Sequence, residues 1–302
     1  MSDASLIWSP RYEVDIGAHV FPTRKYRLVR DRLIEGGTVA PDTFTAPEPV
    51  DDETLGLAHT PEYLRKIAED DFSTAERLQL EVPFSPELAD AMRLCCGGTV
   101  LAAHRALEQG VAVHLGGGFH HAFADHGEGF CLLNDIAVAT LALLEAGPAR
   151  RVTVVDLDVH HGNGTAAILA GHDRVTTFSM HQENNYPAVK PPSDLDVGLP
   201  DRIEDDAYLD LLGRHLPRVL EPAPDLILYL AGADPYREDV LGGLSLSMEG
   251  LRTRDRVVLE SAHRVGAGIA VTLAGGYAQH TDDTVAIHAA TVDEAVSAAS
   301  RA

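Results

Sequence analysis

The chain has 302 residues, with 46 acidic against 24 basic side chains and a formal net charge of −22. Such a surface repels phosphate backbones and anionic lipid, so we expect no nucleic-acid and no membrane partner. The acidity favours cationic ligands such as basic peptides or polyamines, unless it serves only solubility. The N-terminal segment lacks the basic and apolar parts of a signal peptide, which predicts a cytoplasmic protein. The oligomeric state is not indicated.

Cysteine usage excludes two further classes. Cys95, Cys96 and Cys131 form no CxxC pair and are odd in number, so neither a disulfide framework nor a thiolate zinc site is expected. Cys95 and Cys96 continue the helical spacing of Leu88 and Met92, which indicates core packing.

Hydrophobic periodicity predicts a series of helices along the chain. They are expected near residues 23–35, 61–69, 86–109, 131–146, 205–220, 248–264 and 281–300. Two stretches rich in proline and polar residues, 41–53 and 182–206, are interpreted as surface loops.

Short apolar runs alternate with these helices and predict strands at 111–116, 152–157, 174–180, 225–232 and 269–274. Alternation of this kind is typical of a mostly parallel sheet with helices on both faces. We therefore expect an α/β chain, a three-layer αβα fold, with residues 1–302 as one catalytic domain.

Each predicted strand is followed by residues of the types found in catalytic and ligand-binding sites. In parallel α/β sheets ligands bind beyond the carboxyl ends of the strands, so five such endings indicate one shared site. These endings contain His120 and His121; Asp158 and His160; Ser179, Met180 and His181; Asp234; and Gly275, Gly276 and Tyr277.

The segment at residues 156–164 (DLDVHHGNG) is the most informative of these endings. In an extended chain Asp156, Asp158 and His160 point to one side. Two carboxylates and an imidazole in an apolar setting need a cation, and oxygen and nitrogen donors suit zinc. The alternative is a solvated polar loop.

Each of the other strand endings has both a functional and a purely structural interpretation. Asp234 is a third candidate metal ligand, although Pro235 after it also fits a helix cap. His120 and His121 suit general acid–base work, or they form one core and one surface histidine. Tyr277 can donate to a developing oxyanion, or it serves packing.

Long motifs make the chain resemble the zinc-dependent histone deacetylase superfamily, whose fold is related to arginase. They are GGGFHH at 116–121, GFCLLND at 129–135, DLDVHHGNG at 156–164 and LAGGY at 273–277, with weaker similarity at Tyr12, 19–22 and 59–63. Residues 231–234 (AGAD) and 239–247 (DVLGGLSLS) are most similar to class IV deacetylases and their bacterial relatives.

The resemblance implies a role for each matching residue. It implies zinc ligands at Asp158, His160 and Asp234, a general base at His121 with His120 as its electrostatic partner, and an oxyanion donor at Tyr277. It implies that Asp156 orients His120 and that Asn163 tunes His121. It implies a structural potassium ion at Asp156, Asp158, His160, Ser179 and Met180. It implies a substrate tunnel at Gly129, Phe130, Gly275 and Gly276. Asp156 is thus reassigned from zinc to the monovalent cation.

The implied activity is zinc-dependent hydrolysis of an N-acyl amide by metal-activated water, with acyl-lysine, acetyl or longer, as the substrate. Ferrous iron is the alternative metal. Alternative functions are deacetylation of acylated polyamines, a non-catalytic acyl-lysine binder and an arginase-like two-metal hydrolase. The retained His120, His121 and Tyr277 argue against the binder, and the extra acids of a two-metal site are not apparent.

Overall fold

A parallel sheet forms the centre of the molecule, in a computed structural model that describes residues 4–301. In this range it has eight strands in the order β2-β1-β3-β8-β7-β4-β5-β6, all parallel. The strands are β1 (Ser5–Ile7), β2 (Phe44–Thr45), β3 (Val111–His114), β4 (Val152–Asp156), β5 (Val175–Gln182), β6 (Leu195–Leu199), β7 (Leu226–Leu230) and β8 (Gly268–Thr272).

Helices cover both faces of this sheet. One layer consists of α5, α6 and α7, and the other consists of α1, α10, α9 and α8, each packed on the next. The helices are α1 (Lys25–Glu35), α2 (Asp52–Leu55), α3 (Pro61–Glu69), α4 (Thr74–Leu80), α5 (Pro86–Gln109), α6 (Asp135–Glu145), α7 (Asn163–Leu169), α8 (Asp205–Val219), α9 (Met248–Val265) and α10 (Thr281–Ala299). The predicted α/β class with three αβα layers is confirmed.

The five predicted strands are present as β3, β4, β5, β7 and β8. Their residues are almost all buried, because a parallel sheet between two helical layers presents no face to water. β5 runs to Gln182, so Ser179 and Met180 lie within the strand and not beyond its end. The prediction ended this strand too early, since it continues beside β6 with polar residues.

Three strands were not predicted, namely β1, β2 and β6. β1 and β2 have three and two residues, too short for a periodic signal. β6 lies inside 182–206, which we interpreted as a loop, and it alternates buried and exposed residues at the edge of the sheet. Interpreting 41–53 as a loop was likewise wrong in part, because β2 and the start of α2 lie there.

The seven predicted helices are all present, with ends shifted by a few residues. Side-chain caps set several starts: the Ser85 hydroxyl accepts from Leu88 N at 3.1 Å, with Pro86 in the first turn. α2, α4 and α7 were not predicted because each has seven residues or fewer. Cys95 and Cys96 are buried on α5, as expected.

No helix among residues 4–301 combines the length and apolarity needed to cross a bilayer.

Candidate active site

Four adjacent strands deliver the predicted site residues to one place. β3, β8, β7 and β4 are neighbours in the sheet, and all end at the same edge because they are parallel. The loops after them carry the histidine pair, Tyr277, Asp234 and the Asp158–His160 segment, respectively. Residues 74 positions apart in sequence, His160 and Asp234, become neighbours in this way.

Asp158, His160 and Asp234 form a cluster that we call the inner cluster. One ligand atom from each lies within 4.8 Å of the others. His160 Nδ1 lies 3.1 Å from Asp158 Oδ1 and 3.4 Å from Asp234 Oδ2. Donors about 2.0–2.1 Å from a tetrahedral zinc ion are roughly 3.3 Å apart, so these spacings fit zinc.

The charges of the inner cluster point to a cation as well. Asp158 and Asp234 are buried, and Asp234 Oδ2 has no hydrogen-bond partner among the described residues. Burial and the neighbouring Asp158 raise the pKa of Asp234. A buried carboxylate oxygen without a donor is costly unless a metal ion neutralises it. Asp234 caps no helix, since its Oδ1 accepts from Val159 N at 2.9 Å and α9 begins only at Met248.

The two histidines of the β3 loop are both buried and face different partners. His120 Nδ1 lies 2.7 Å from Asp156 Oδ2, and His121 Nδ1 lies 2.7 Å from Asn163 Oδ1. Burial alone would lower the pKa of His120, but the carboxylates of Asp156 and Asp158 raise it to about 9. Burial and the neighbouring His120 lower the pKa of His121. The pair is thus one charged and one neutral imidazole, and neither lies on the surface.

Asp135 holds the histidine loop in place. Its carboxylate accepts from Gly118 N at 3.0 Å and from Phe119 N at 2.7 Å, and it begins α6. The motif 129–135 contains Asp135, but no pattern within the motif predicts that this carboxylate orients the backbone before His120.

The loop after β8 approaches the inner cluster closely at Gly275. Gly275 N donates to Asp158 Oδ2 at 2.9 Å, and a Cβ at this position would collide with the Asp234 carboxylate. Tyr277 N in turn donates to Asp239 Oδ2 at 2.6 Å. Glycine is therefore required for contact with the cluster, and Asp239 fixes the backbone that carries the phenol.

A pocket leads from the surface to these groups in two parts. The outer part has a volume of about 280 Å³ and is lined by Glu81, Phe130, Tyr186 and Tyr277, among others. The inner part has about 30 Å³ and reaches the histidine pair, Asp158 and His160. Gly129 and Phe130 line both parts. Gly129 has a φ of 54°, and a side chain there would strike the His121 ring.

Several residues predicted to bind potassium lie on two neighbouring strands. Asp156 pairs with Ser179 across β4 and β5, so the two segments named for this ion run side by side. Ser179 Oγ lies 2.9 Å from His181 Nδ1. The assignment of potassium to Asp156, Asp158, His160, Ser179 and Met180 stays a prediction.

A second group of ligand-type residues includes His161, the sequence neighbour of His160. His161, His181 and Asp196, the outer cluster, also have ligand atoms within 4.8 Å of one another. His161 Nε2 lies 3.2 Å from Asp196 Oδ1, and Asp196 Oδ2 accepts from Ser193 N at 2.9 Å.

Sequence reasoning missed several residues at the site. Glu128 contacts Asn163, Tyr186 packs its ring 5.0 Å from that of His121, and Asp239 holds Tyr277. Buried Lys25 donates to Ala274 O at 2.6 Å and lies 5.6 Å from the centre of the Tyr277 ring. No local pattern distinguished Glu128 from Asp125, the other acidic residue of the same loop.

Comparisons with known proteins agree with this geometry. The sequence matches the histone deacetylase domain over residues 19–292. It is 40% identical to an uncharacterized protein of Picosynechococcus sp. over 94% of this chain and 95% of that protein. It is 29% identical to histone deacetylase 2 of Arabidopsis thaliana, over 95% of this chain and 78% of that protein.

More distant relatives include histone deacetylase 1 of Homo sapiens, which is 28% identical over 79% of this chain and 55% of that protein. The crystal structure of the HDA15 HD domain superposes with a TM-score of 0.82, at 24% identity, over 98% of this chain and 90% of that one, which shows a shared fold. The matched domain contains both histidines, the inner cluster and Tyr277. The chain belongs to the histone deacetylase family.

Proposed function

We propose that this protein is a zinc-dependent deacetylase that hydrolyses the acetyl amide of acylated lysine side chains. The observation that carries the proposal is the inner cluster, in which two buried carboxylates and His160 converge beside the histidine pair at the end of a narrow pocket. Family membership supports a deacetylase hydrolase in general. The metal and the substrate are our own assignment.

Asp158, His160 and Asp234 would hold the metal, which when bound supplies a Lewis acid and an acidified water. His121 has a lowered pKa and a neutral ring, so its free nitrogen can take the proton of the attacking water. The His120 ring, charged beside Asp156, stabilises negative charge near the reacting carbon.

Tyr277 completes the proposed chemistry. Burial and the nearby Asp234 raise the pKa of its phenol, so the hydroxyl keeps its proton and can donate to the oxyanion that develops on the carbonyl. The departing amine then receives a proton from the histidine pair. Ferrous iron is the alternative metal for the same donors. We further propose potassium beside Asp156 and Ser179 as a structural ion.

The pocket volumes favour a short acyl group. The inner part, about 30 Å³, has room for about two water-sized groups, which corresponds to an acetyl group and not to a fatty chain. The outer part, lined by Phe130 and Tyr186, would enclose the aliphatic stem of the lysine.

A second substrate class has support from charge. The net charge of −22 and Glu81 at the outer part of the pocket would attract a polyamine. Acetylpolyamines are therefore the second candidate.

The test is a set of substrates given to purified protein of measured metal content: acetyl-, butyryl-, decanoyl- and myristoyl-lysine peptides, acetylputrescine and acetylspermidine. We expect acetate release from the acetyl-lysine peptide with the largest kcat/KM. Faster turnover of acetylspermidine would move the assignment to polyamines, and preference for myristoyl-lysine would refute the size argument. Absence of turnover with every substrate by metal-replete protein would refute the proposed function.

A further inference from the structure

Glu128 lies directly behind Asn163, on the side away from His121. The Asn163 amide bridges the two: its Nδ2 donates to Glu128 Oε1 at 2.7 Å, and its Oδ1 lies 2.7 Å from His121 Nδ1. The Asn163 side chain is buried, and that of Glu128 is 16% exposed. A continuous line of hydrogen bonds therefore runs from the carboxylate to the imidazole.

The carboxylate determines which way the amide points. An asparagine side chain can be flipped with almost no change in shape, so its orientation follows from its partners. A carboxylate only accepts hydrogen bonds, and the flipped amide would place Oδ1 of Asn163 against Oε1 of Glu128, two acceptors at hydrogen-bond distance. The Glu128 contact thus requires Nδ2 to face Glu128 and Oδ1 to face His121.

Glu128 keeps its charge in this position. Burial raises the pKa of Glu128, but hydrogen bonds from His126, Gln79, Tyr186 and Asn163 outweigh burial and bring it to about 2. The carboxylate therefore stays ionised and acceptor-only at neutral pH.

The orientation of the amide sets the tautomer of His121. A carbonyl oxygen facing Nδ1 can only accept, so the proton of the neutral ring must be on Nδ1, which leaves Nε2 with its lone pair. We propose that Glu128 is a positioning residue, which locks the Asn163 amide so that His121 presents an unprotonated Nε2 to the reaction. The consequence for turnover rests on the proposed role of His121 as general base, whereas the tautomer itself does not.

The tautomer can be measured without turnover, by ¹⁵N NMR of histidine-labelled protein with zinc bound. In a neutral imidazole the bare nitrogen and the protonated nitrogen resonate far apart, and His121→Gln identifies the signals. We expect a single Nδ1–H form in the wild type. Glu128→Ala should give a mixture of both tautomers. Glu128→Gln should also lose the single Nδ1–H form, because its amide can donate to Asn163 Oδ1 as well as accept, so the Asn163 amide is no longer locked.

Kinetics should follow the tautomer. We expect Glu128→Ala to lower kcat roughly tenfold, the effect of losing one charge-assisted hydrogen bond, with a small change in KM and full metal content. Asp125→Asn is the matched control. It removes an exposed carboxylate of the same loop, and this carboxylate pairs with His126 and does not contact Asn163. It should leave kcat unchanged.

A second substitution distinguishes positioning from a general structural role. Asn163→Asp places a carboxylate beside His121 that accepts from Nδ1 with either oxygen, so it does not need Glu128. In the wild-type background it also creates two facing carboxylates and should impair the enzyme. In the Glu128→Ala background we expect it to restore the single Nδ1–H tautomer and kcat to within about threefold of the wild type, since Nδ1–H then donates directly to a carboxylate.

Two results would overturn the inference: a His121 tautomer unchanged in Glu128→Ala, or a Glu128→Ala/Asn163→Asp protein no more active than Glu128→Ala. If Glu128→Ala does not fold, an unchanged single Nδ1–H form in folded Glu128→Gln would overturn it instead. Wild-type protein without turnover but with the expected tautomers would refute the proposed function and leave the inference standing.

Discussion

His160 and His161 are neighbours in sequence and belong to two clusters with the same kinds of ligand. In the inner cluster His160 faces two carboxylates, Asp158 and Asp234, and both are buried. In the outer cluster His161 faces one carboxylate, Asp196, whose side chain is 31% exposed and accepts from Ser193 N. The two rings contact different carboxylates, so one short segment contributes to both clusters.

The comparison shows that ligand type does not by itself identify a metal site. Asp234 Oδ2 has no donor among residues 4–301, and the inner cluster carries more negative charge than His160 can neutralise. Asp196 already has two donors and contact with water, so the carboxylate of the outer cluster is satisfied without a cation. Burial and charge balance make the difference, and we expect one divalent metal ion per chain, in the inner cluster.

The largest effect is expected from removing one carboxylate from each cluster in turn. Asp234→Asn should lose the metal ion and reduce turnover by at least roughly 10³-fold, because Lewis-acid activation is lost with the ion. Asp196→Asn is the matched variant and should keep both metal and activity. Metal analysis by mass spectrometry and acetate release measure the two effects. Metal loss in Asp196→Asn but not in Asp234→Asn would show that the metal binds in the outer cluster and not in the inner one.

Replacement of Tyr277 tests catalysis independently of metal binding. Tyr277→Phe should lower kcat by roughly 10²–10³-fold, the usual effect of removing one oxyanion donor. The metal content should not change, since the hydroxyl belongs to neither cluster. Turnover equal to that of the wild type would remove the phenol from the mechanism.

The pH dependence of metal binding tests the charge of His160. Burial alone would lower the pKa of His160, but Asp158 and Asp234 raise it to about 10 in the metal-free protein. The ring is then protonated at neutral pH, and zinc must displace that proton. Affinity should fall at least about 100-fold from pH 8 to pH 6, with at least about one proton released per ion, because the raised pKa of Asp234 adds to the effect of His160. Calorimetry in buffers of different ionisation enthalpy measures the release, and pH-independent affinity would contradict this charge state.

His59 shows the opposite case, a buried histidine that faces no carboxylate among the residues the structure describes. Its Nδ1 lies 3.0 Å from Phe123 O, its Nε2 accepts from Asn134 N, and burial lowers its pKa to about 4. A lowered histidine pKa means that the unfolded chain binds more protons below about pH 6.5, so stability falls as pH falls from about 6.5 to about 4. Between pH 7 and 5 this residue should account for about 2 kcal/mol of lost stability.

Urea unfolding of the wild type and His59→Gln at both pH values checks this prediction. The variant should lose less stability on acidification than the wild type. An equal loss in both proteins would show that His59 does not carry the effect.

Much of the site could be predicted because its residues follow strands with a clear apolar signal. β4 is a continuous buried run, and the alternation after it places Asp158 and His160 on one side. Asp234 and Tyr277 follow similar runs, and the rule that parallel strands end at one edge brings them together.

The rest depends on tertiary placement that no local pattern records. Glu128 and Tyr186 lie in loops, and Lys25 begins α1 on a different part of the chain, so only the folded backbone shows that they reach the site. β1 and β2 are too short to carry a period, and β6 is an edge strand within a polar segment. The positions of these three strands follow from their pairing with neighbouring strands and not from a pattern in their own sequences.

The most direct test of the account is a zinc titration of metal-free protein, followed by acetate release from an acetyl-lysine peptide. We expect activity to be absent without metal, to rise in proportion to bound zinc and to stop rising at one equivalent, in the wild type and in Asp196→Asn alike. Activity in the metal-free protein, or a wild type that needs a second equivalent which Asp196→Asn does not bind, would contradict the assignment of the metal to the inner cluster alone.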